Sequence, residues 1–422
     1  MRIWLAQTGE EMPSDGSSTR LLRTSLLARE LAGRGHEVVY CNSTFSHQKK
    51  IQRFDRTMRI RQPDGYDCVF LYGRRYAKNI GFRRILSHRD NAREFHRWAR
   101  AQPLPHVVHC GFPPIELAVE ATRFARAMGI PSTVDCRDIW PEIIEDRLPP
   151  AARLFAAPVL GAWERSKREA MRSATAITGV SEGFLAWGLS AAGRPQSTLD
   201  MPFHLATPPE PVGEGALDVA RQHWRAIIGD LPKDSLIVCY AGTFSRRFDL
   251  PAVLEGLDLL TPEEKARVRL VLCGAGDLQD EIKRRTLMNP AIVYGGWSSR
   301  PQLVALMEMA SAGLLPYPNS LDFLVTFPNK VGEYLTAGLP ILTGTKGAVE
   351  KLLEPHSLRI GYGAGDPTSF AEAIRSLLLR GDIRDMREKA RDLAKTQFDP
   401  EKIYPGFADW LEMVARTGRG DR

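Results

Sequence analysis

A lysine and a glutamate three residues apart stand out in the segment 326–342, which reads TFPNKVGEYLTAGLPIL. Its proline–asparagine pair predicts the start of a short helix, Gly338 predicts the end, and a buried strand should follow. Lys330 and Glu333 then lie on one helix face close to the positive N-terminus. This arrangement suits a ligand with both phosphate and hydroxyl groups. An ordinary surface ion pair is the alternative.

Two neighbouring arginines, Arg246 and Arg247, follow the predicted buried strand 235–241. The same loop contains Gly242 and Thr243, and a glycine there lets the backbone approach a ligand closely. The arginines place two permanent cations at the end of the strand. The pattern therefore predicts either an anion-binding loop or a solvated loop.

Glycines and a tryptophan follow the next two predicted strands of this half. Gly274 and Gly276 form a Gly-x-Gly turn, which is more typical of a tight strand-to-helix turn than of a phosphate cradle. Trp297 ends the following strand. Its ring would either cover a nucleobase or cap the core, and both interpretations stay open.

In the first half of the chain, residues 134–142 read VDCRDIWPE. Arg137 and Asp138 lie among three carboxylates and a tryptophan at the end of a predicted strand. A surface strand end explains charges, but it does not explain their density beside Trp140. This segment therefore favours an active-site edge.

Short apolar strands that alternate with helices must position these residues. Such alternation predicts parallel, doubly wound α/β sheets. A loop with Gly16 and Ser17 follows the first strand, where open α/β sheets bind ligands, but Gly-x-Gly-x-x-Gly is absent. The predicted strands are 2–6, 36–41, 68–72, 107–110, 132–135, 176–180, 235–241, 268–273, 291–294, 312–316 and 340–343, and the predicted helices include 19–33, 91–101, 114–128 and 154–172.

The Pro- and Gly-rich residues 206–215 predict a linker between two domains. We expect an N-terminal Rossmann-like domain over residues 1–205 and a C-terminal Rossmann-like domain over 206–397. A C-terminal helix in 398–422 should pack back across the domain boundary. Two such domains would face a central cleft.

The composition is that of a globular protein, with 422 residues of which 43% are hydrophobic and 25% are charged. The sequence has no run of about 20 apolar residues and no signal-peptide pattern. Its six cysteines are scattered, which predicts buried reduced thiols. We therefore expect a cytoplasmic protein.

The net charge of +7 is concentrated between residues 49 and 100, where 15 Lys and Arg face five Asp and Glu. Such a block suits an anionic membrane surface, nucleic acid or a phosphorylated substrate, or is a solvated face. Regular aromatic interleaving and a recognised module are missing, which disfavours nucleic acid. Two clusters make up most of the block: Lys49, Lys50, Arg53, Arg56 and Arg59, and then Arg74, Arg75, Lys78, Arg83 and Arg84 around Tyr76, Ile80 and Phe82.

Together these motifs resemble retaining glycosyltransferases of family 4, which have the two-domain glycosyltransferase-B fold. The resemblance covers nearly the full length and is most specific in PNKVGEYLTAGLP. Combined with RDIWPE at 137–142, it is similar to the branch that builds O-antigen and other cell-envelope polysaccharides. The resemblance implies a nucleotide-sugar donor, usually UDP-linked, and a lipid-linked or saccharide acceptor. It makes 206–397 the nucleotide-sugar-binding domain and 1–205 the acceptor-side domain.

The resemblance also implies roles for individual residues. Glu333 matches the glutamate that holds the nucleotide ribose, and Arg246, with Arg247 as substitute, matches the cationic loop that neutralises the leaving diphosphate. Gly16 lies in the loop that approaches the donor phosphate. The segment that contacts donor sugar and phosphate corresponds to Phe327, Pro328, Asn329 and Lys330.

Two positions depart from the family pattern. Val325 stands where the family commonly has a second glutamate, and Arg137 stands where it has a catalytic-edge histidine. The expected enzyme is a retaining, metal-independent glycosyltransferase without a cofactor, either cytoplasmic or peripheral at the inner face of the membrane. A nucleotide-sugar epimerase of the same fold and a silent carbohydrate- or lipid-binding scaffold remain alternatives, and the oligomeric state is open.

Overall fold

A computed structural model of the chain describes residues 1–16, 21–78, 81–146, 148–208 and 211–418. The chain forms two compact units. The first comprises Met1–Thr207 and the residues from Pro400 onward, and the second comprises Pro208–Asp399. None of the helices in the described residues is long and apolar enough to cross a membrane.

The first unit is built on a twisted sheet of eight described strands in the order β10-β9-β8-β7-β1-β2-β6-β5. Neighbouring strands are parallel except for the antiparallel edge pair β5–β6. The strands of this sheet are β1 (Arg2–Ala6), β2 (Glu37–Ser43), β5 (Met58–Arg61), β6 (Asp67–Leu71), β7 (Val107–Phe112), β8 (Ser132–Cys136), β9 (Ala176–Gly179) and β10 (Met201–Pro202). Two further short strands, β3 (Phe45–Ser46) and β4 (Ile51–Gln52), form a separate antiparallel pair. The helices are α1 (Arg23–Gly33), α2 (Phe82–Arg100), α3 (Ile115–Ala127), α4 (Glu142–Asp146), α5 (Pro150–Ser173) and α6 (Glu182–Ala192).

The second unit contains a six-stranded, all-parallel sheet in the order β13-β12-β11-β14-β15-β16. Its strands are β11 (Leu236–Ala241), β12 (Val268–Cys273), β13 (Ile292–Gly296), β14 (Ala312–Leu315), β15 (Ile341–Thr343) and β16 (Arg359–Gly361). Its helices are α7 (Glu214–Ile228), α8 (Leu250–Asp258), α9 (Pro262–Arg267), α10 (Gln279–Thr286), α11 (Arg300–Met309), α12 (Leu321–Leu324), α13 (Asn329–Thr336), α14 (Ala348–Leu353), α15 (Pro367–Leu378) and α16 (Ile383–Gln397).

The last helix, α17 (Pro400–Thr417), belongs to the first unit. Its apolar face, which includes Phe407, Leu411 and Val414, is fully buried in the core of that unit. Arg34 of α1 pairs with two acidic residues of α17, Asp409 and Glu412. The final helix thus completes the hydrophobic core that the first strand begins.

The predicted α/β class with two doubly wound sheets is confirmed, and most predicted strands lie within one or two residues of those observed. Two helix starts were wrong: α2 begins at Phe82, not at residue 91, and α5 begins at Pro150, not at residue 154. The helix predicted from Thr19 begins at Arg23, and residues 17–20 lie outside the described part. The short strands β3, β4, β5, β10 and β16 were not predicted. All six cysteines are buried and free.

Strand order reverses once in each sheet. In the first unit this switch point lies between β1 and β7, and in the second unit it lies between β11 and β14. Open α/β sheets bind ligands outside the carboxyl ends of the strands at such points. The loops after β1 and β7, and those after β11 and β14, are therefore where a site is expected.

Candidate active site

Helix α13 of the second unit carries Lys330 and Glu333, and it begins and ends where the sequence predicted. The hydroxyl of Tyr334 donates to the carbonyls of Cys239 and Leu314, at 3.3 and 3.1 Å. These carbonyls belong to the two switch-point strands, β11 and β14. Gly313 makes this approach possible, because a Cβ atom there would lie 2.5 Å from the Tyr334 ring. The helix is therefore anchored directly at the switch point.

The glycines after β11 and β12 pack two loops against each other. Gly242 N–H donates to the Cys273 carbonyl at 2.8 Å. Gly274 has a φ of 137°, and a Cβ atom there would lie only 1.9 Å from the Gly242 carbonyl oxygen. Any side chain at Gly274 would force the loops apart. The glycine-rich turn is thus explained by loop packing, as the commoner interpretation of Gly-x-Gly held.

Lys330 crosses over the Gly242 loop. A Cβ atom at Gly242 would lie 2.9 Å from Lys330 Cε, and Lys330 Nζ lies 5.7 Å from the centroid of the Tyr240 ring. The predicted lysine and the predicted glycine loop are therefore brought together. Thr243, in the same loop, is exposed and its carbonyl accepts from the Tyr240 hydroxyl at 2.9 Å.

Tyr317 lies just after β14. Burial, and next the charge of Glu333, raise the pKa of Tyr317 to about 12. Tyr317 stacks on Phe323 with centroids 4.4 Å apart, and Phe248 packs edge-on at 4.8 Å. The sequence reasoning missed this aromatic cluster, although Tyr317 directly follows a predicted strand.

The two arginines of the cationic loop have different environments. Arg246 is exposed and donates to Glu281 of α10 at 3.1 Å. Arg247 is also exposed, and its guanidinium pairs with no acidic residue in the described part of the chain. Arg247 is therefore the more available cation, whereas the sequence reasoning put Arg246 first.

The other residues predicted to bind the donor differ in their exposure. Trp297 is 88% exposed, so the interpretation as a core cap was wrong. Phe327 is buried and packs edge-on against Phe398, with centroids 6.0 Å apart. Pro328 is the N-cap residue of α13, and Asn329 begins the helix and is exposed.

In the first unit, the loop after β1 contains the predicted Gly16 and Ser17. Gly16 follows a short 3-10 turn at Pro13–Asp15, and the space around its Cα is open, since a Cβ atom would meet nothing within 4 Å. Ser17 lies outside the described residues. The structure therefore adds nothing on that serine.

A buried ion network lies beneath the loops after β1 and β8. Arg23 Nε and Nη2 donate to the two carboxylate oxygens of Asp135 at 2.8 and 3.1 Å. Arg137 Nε donates to Asp135 Oδ2 at 2.7 Å, and Arg137 Nη1 donates to Glu10 Oε1 at 2.6 Å. Burial alone would raise the pKa of Asp135, but the two guanidinium groups hold it well below its ordinary value. Two cations and two carboxylates thus neutralise each other inside the protein.

His109 of β7 borders this network. Its Nε2 lies 3.8 Å from Asp135 Oδ2, and its Nδ1 lies 2.8 Å from Thr133 Oγ1. Burial, together with the nearby Arg137 and Arg23, lowers its pKa to about 3. His109 is therefore neutral at physiological pH.

The network corrects the simple interpretation of residues 134–142 as a row of charges at an active-site edge. Arg137 donates through Nε and Nη1 to Asp135 and Glu10, and these ion pairs fix the position of its third nitrogen, Nη2. Both Asp138 oxygens accept local hydrogen bonds, from Ile139 N at 2.9 Å and from Trp140 Nε1 at 3.1 Å. Asp138 therefore shapes the turn that holds Trp140.

A cavity of about 220 Å³ opens at the β1–β7 switch point of the first unit. Arg137 and Asp138 line it, together with Gln7 from the end of β1 and with His88 and Arg84 of α2. The sequence reasoning missed Gln7, His88 and the buried role of Arg84. A signal existed only for Gln7, which directly follows a predicted buried strand.

The second unit matches the model of a known family over residues 235–380, described as glycosyl transferases group 1. A curated relative, the putative teichuronic acid biosynthesis glycosyltransferase TuaH of Bacillus subtilis (strain 168), is 28% identical over 109 residues, or 26% of this chain. The aligned stretch spans only 27% of that relative's own length.

Solved structures extend the likeness to both units. A sucrose-phosphate synthase from Thermosynechococcus elongatus has a TM-score of 0.70 at 14% identity and covers 99% of both chains. Anabaena Alr3699/HepE, solved in complex with UDP, has a TM-score of 0.63 at 12% identity and covers 98% of this chain and 99% of its own. The chain therefore has the glycosyltransferase-B fold, and residues 235–380 of its second unit are similar to the group 1 glycosyl transferases.

Proposed function

We propose that the protein is a retaining glycosyltransferase that moves a sugar from a nucleotide-sugar donor to an acceptor. The observation that carries the proposal is the cluster at the β11–β14 switch point. There Tyr334 anchors α13, Lys330 crosses the Gly242 loop, and Glu333 lies three residues after Lys330 in the same helix. A phosphate-binding cation and a hydroxyl-binding carboxylate thus stand on one helix face, as a nucleotide requires.

The proposed reaction replaces one bond at the anomeric carbon of the donor with another. The bond to the diphosphate oxygen breaks, a bond to the acceptor oxygen forms on the same face, and the acceptor proton passes to the departing phosphate. Negative charge grows on the diphosphate during this step. The exposed guanidinium of Arg247, with Lys330 and Arg246 beside the same loops, supplies the stabilising charge. The step needs no metal or cofactor.

We further propose a UDP-linked donor and an acceptor of cell-envelope polysaccharide synthesis. The donor choice is supported by the fold shared with a protein solved in complex with UDP. The acceptor choice is supported by the partial similarity to a teichuronic acid biosynthesis glycosyltransferase. Glu333 is assigned to the ribose, and Trp297 is assigned to the base because its ring is exposed.

Peripheral contact with an anionic membrane is part of the proposal, with a smaller basic surface than the charge count implied. Arg53 is buried in an ion pair with Asp15, and Arg74 is paired with Asp90. Exposed basic residues and an exposed apolar side chain remain near the start of α2, namely Arg75, Lys78, Arg83 and Phe82. Each basic residue near an anionic surface contributes about 1 kcal/mol.

A thermal-shift screen of nucleotides, followed by assays with nucleotide sugars, tests the function. We expect UDP to raise the Tm, because a ligand at 100 times its Kd stabilises the folded protein by about 2.7 kcal/mol. EDTA should leave both binding and transfer unchanged. Products formed from donor alone would favour an epimerase. Binding without transfer to any cell-envelope glycolipid acceptor would favour a silent scaffold.

Co-sedimentation with vesicles tests the membrane contact separately. Binding to phosphatidylglycerol vesicles should disappear at high salt, because the Debye length falls from about 10 Å at 0.1 M to about 3 Å at 1 M. Equal binding to neutral and anionic vesicles, or none to either, would refute this part alone.

A further inference from the structure

The cavity at the β1–β7 switch point has a cationic side formed by α2 and the loop after β3. The Arg84 guanidinium lies 4.8 Å from the centroid of the Trp140 ring and lines the cavity. On the same side of the cavity, the Tyr76 hydroxyl lies 2.7 Å from His47 Nδ1, and Lys50 Nζ lies 3.4 Å from the same nitrogen. The Arg84 guanidinium and the His47 and Tyr76 rings thus line the cavity, and Lys50 contacts His47.

The protonation equilibria agree with a positive potential there. Burial, and then the charges of Arg84 and Lys50, lower the pKa of His47 to about 4. Burial and Arg84 also lower the pKa of Lys50. Positive groups therefore disfavour one another at this place, and an anion would relieve that repulsion.

The opposite side of the cavity offers one acceptor and one donor. Gln7 Oε1 and Arg137 Nη2 are buried and have no hydrogen-bond partner among the described residues. Both border Gly111, since a Cβ atom there would lie 2.0 Å from Gln7 Oε1 and 3.3 Å from Arg137 Cζ. Buried polar atoms without partners cost about 1–3 kcal/mol each, so an occupant that satisfies both is expected. A hydroxyl group, which donates once and accepts at the same oxygen, fits this pair.

The acidic groups near the cavity, Asp138 and Glu116, only partly offset the cost of burying Arg84, because burial still lowers the pKa of this guanidinium despite their charges. Both Asp138 oxygens also accept hydrogen bonds from the Trp140 turn. Glu116 lies 3.6 Å from His88 Nδ1 and accepts from Trp163 Nε1 at 3.0 Å, on the far side of His88. The cavity is also far larger than the about 15 Å³ that one water needs.

We propose that this cavity binds an anionic saccharide, with its carboxylate or phosphate at Arg84 and a ring hydroxyl between Gln7 and Arg137. The inference deepens the proposed function, because such a saccharide would be the part of the acceptor that the first unit recognises. An acceptor that carries an acidic group is thereby preferred over a neutral one.

Titration of the full chain with three glycosides tests the proposal. The probes are methyl β-D-glucuronide for a carboxylate, glucose 6-phosphate for a phosphate, and methyl β-D-glucoside as the neutral control, observed by saturation-transfer NMR and calorimetry. We expect one of the two anionic probes to bind at least tenfold more tightly than the neutral glycoside. The tighter of the two identifies the source of the charge.

Variants of neighbouring residues locate the binding. Arg84→Gln should weaken the anionic probe about tenfold to a hundredfold, as for loss of a charged hydrogen-bond partner, and Arg84→Lys should restore part of the affinity. Arg83→Gln is the matched control, because it removes the same charge from the next, exposed position of α2. Gln7→Leu should weaken the binding of glucose 6-phosphate but not the binding of inorganic phosphate. Thermal unfolding confirms that each variant is folded.

Four results would overturn the proposal: equal affinity for neutral and anionic sugars, no binding of either anionic probe, equal affinity for the tighter anionic probe and its free anion (acetate or inorganic phosphate), or equal effects of the Arg84 and Arg83 variants. Failure of the proposed function looks different. Probe binding that depends on Arg84, without transfer from any nucleotide sugar, would refute glycosyl transfer and leave the cavity assignment intact. Transfer to a neutral acceptor with the same KM in wild type and Arg84→Gln would refute the cavity assignment and leave glycosyl transfer intact.

Discussion

Replacing Asp135 with asparagine should strongly destabilise the first unit. The carboxylate accepts three hydrogen bonds from Arg23 and Arg137 at 2.7–3.1 Å, inside a network that is almost completely buried. The amide keeps the shape but leaves two buried cations with only Glu10 as a counter-charge. Breaking a buried ion pair in this way costs about 3–5 kcal/mol. For a unit of about 230 residues, this corresponds to a Tm lower by roughly 6–20 °C.

Thermal unfolding followed by circular dichroism, with and without UDP, measures the effect. Asp409→Asn is the control, because it breaks an exposed pair with Arg34 and should cost less than about 1 kcal/mol. The folded pKa of Asp135 is depressed, so its stabilisation is complete well above the unfolded value of about 3.9 and is lost progressively as the pH falls from about 5 towards the folded value. The Tm difference from wild type should therefore narrow between pH 7 and pH 3. A Tm within 2 °C of that of the Asp409 variant at pH 7 would refute the reasoning.

Three predictions concern the second unit. Glu333→Gln should weaken UDP binding about tenfold to a hundredfold by calorimetry, because a charged acceptor of ribose hydroxyls is worth about 1.5–3 kcal/mol. Glu372→Gln, on an exposed helix face, should leave UDP binding unchanged. Equal Kd values for UDP in wild type and Glu333→Gln would remove Glu333 from the site. Arg247→Ala should lower kcat more than donor affinity, because charge grows on the leaving diphosphate. The loss of kcat should exceed that of Arg246→Ala, because Arg246 is paired with Glu281. A wild-type kcat in both variants would place the cationic loop elsewhere. Trp297→Ala should leave the Tm within about 2 °C of wild type, since the ring is 88% exposed, and should weaken UDP but not inorganic pyrophosphate; a large loss of stability would restore the role in the core.

Local patterns predicted the parts of the fold that depend on neighbouring residues. The segment 326–342 contains its own start signal, apolar face and terminal glycine, so α13 and β15 were predicted closely. Helix α2 was harder because the charged residues in its first nine positions, three of them arginines, obscure the apolar periodicity. In the fold, α2 packs against α3.

Pairing between distant residues could not be read from the sequence. Arg53 looked like part of a basic surface, yet Asp15, 38 positions earlier, neutralises it inside the protein. Arg23 carried no signal at all, because its partner Asp135 lies 112 positions later. A local charge count treats every charge as solvated, and only the fold shows which charges are buried and paired.

The position of α17 has a consequence for the order of events during synthesis. The ribosome makes the whole of Pro208–Asp399 before it makes Phe407, Leu411 and Val414, which fill the core of the first unit. Arg23 also stacks on the Phe407 ring, with its guanidinium carbon 4.6 Å from the centroid. The first unit therefore cannot complete its core until α17 is synthesised, and until then this part of its core and its ion network are exposed to water. By that time the second unit already has every residue that its own core needs. The unit that is begun first is the one that is finished last, and a chaperone that shields apolar surface would be needed most by the first 200 residues during this interval.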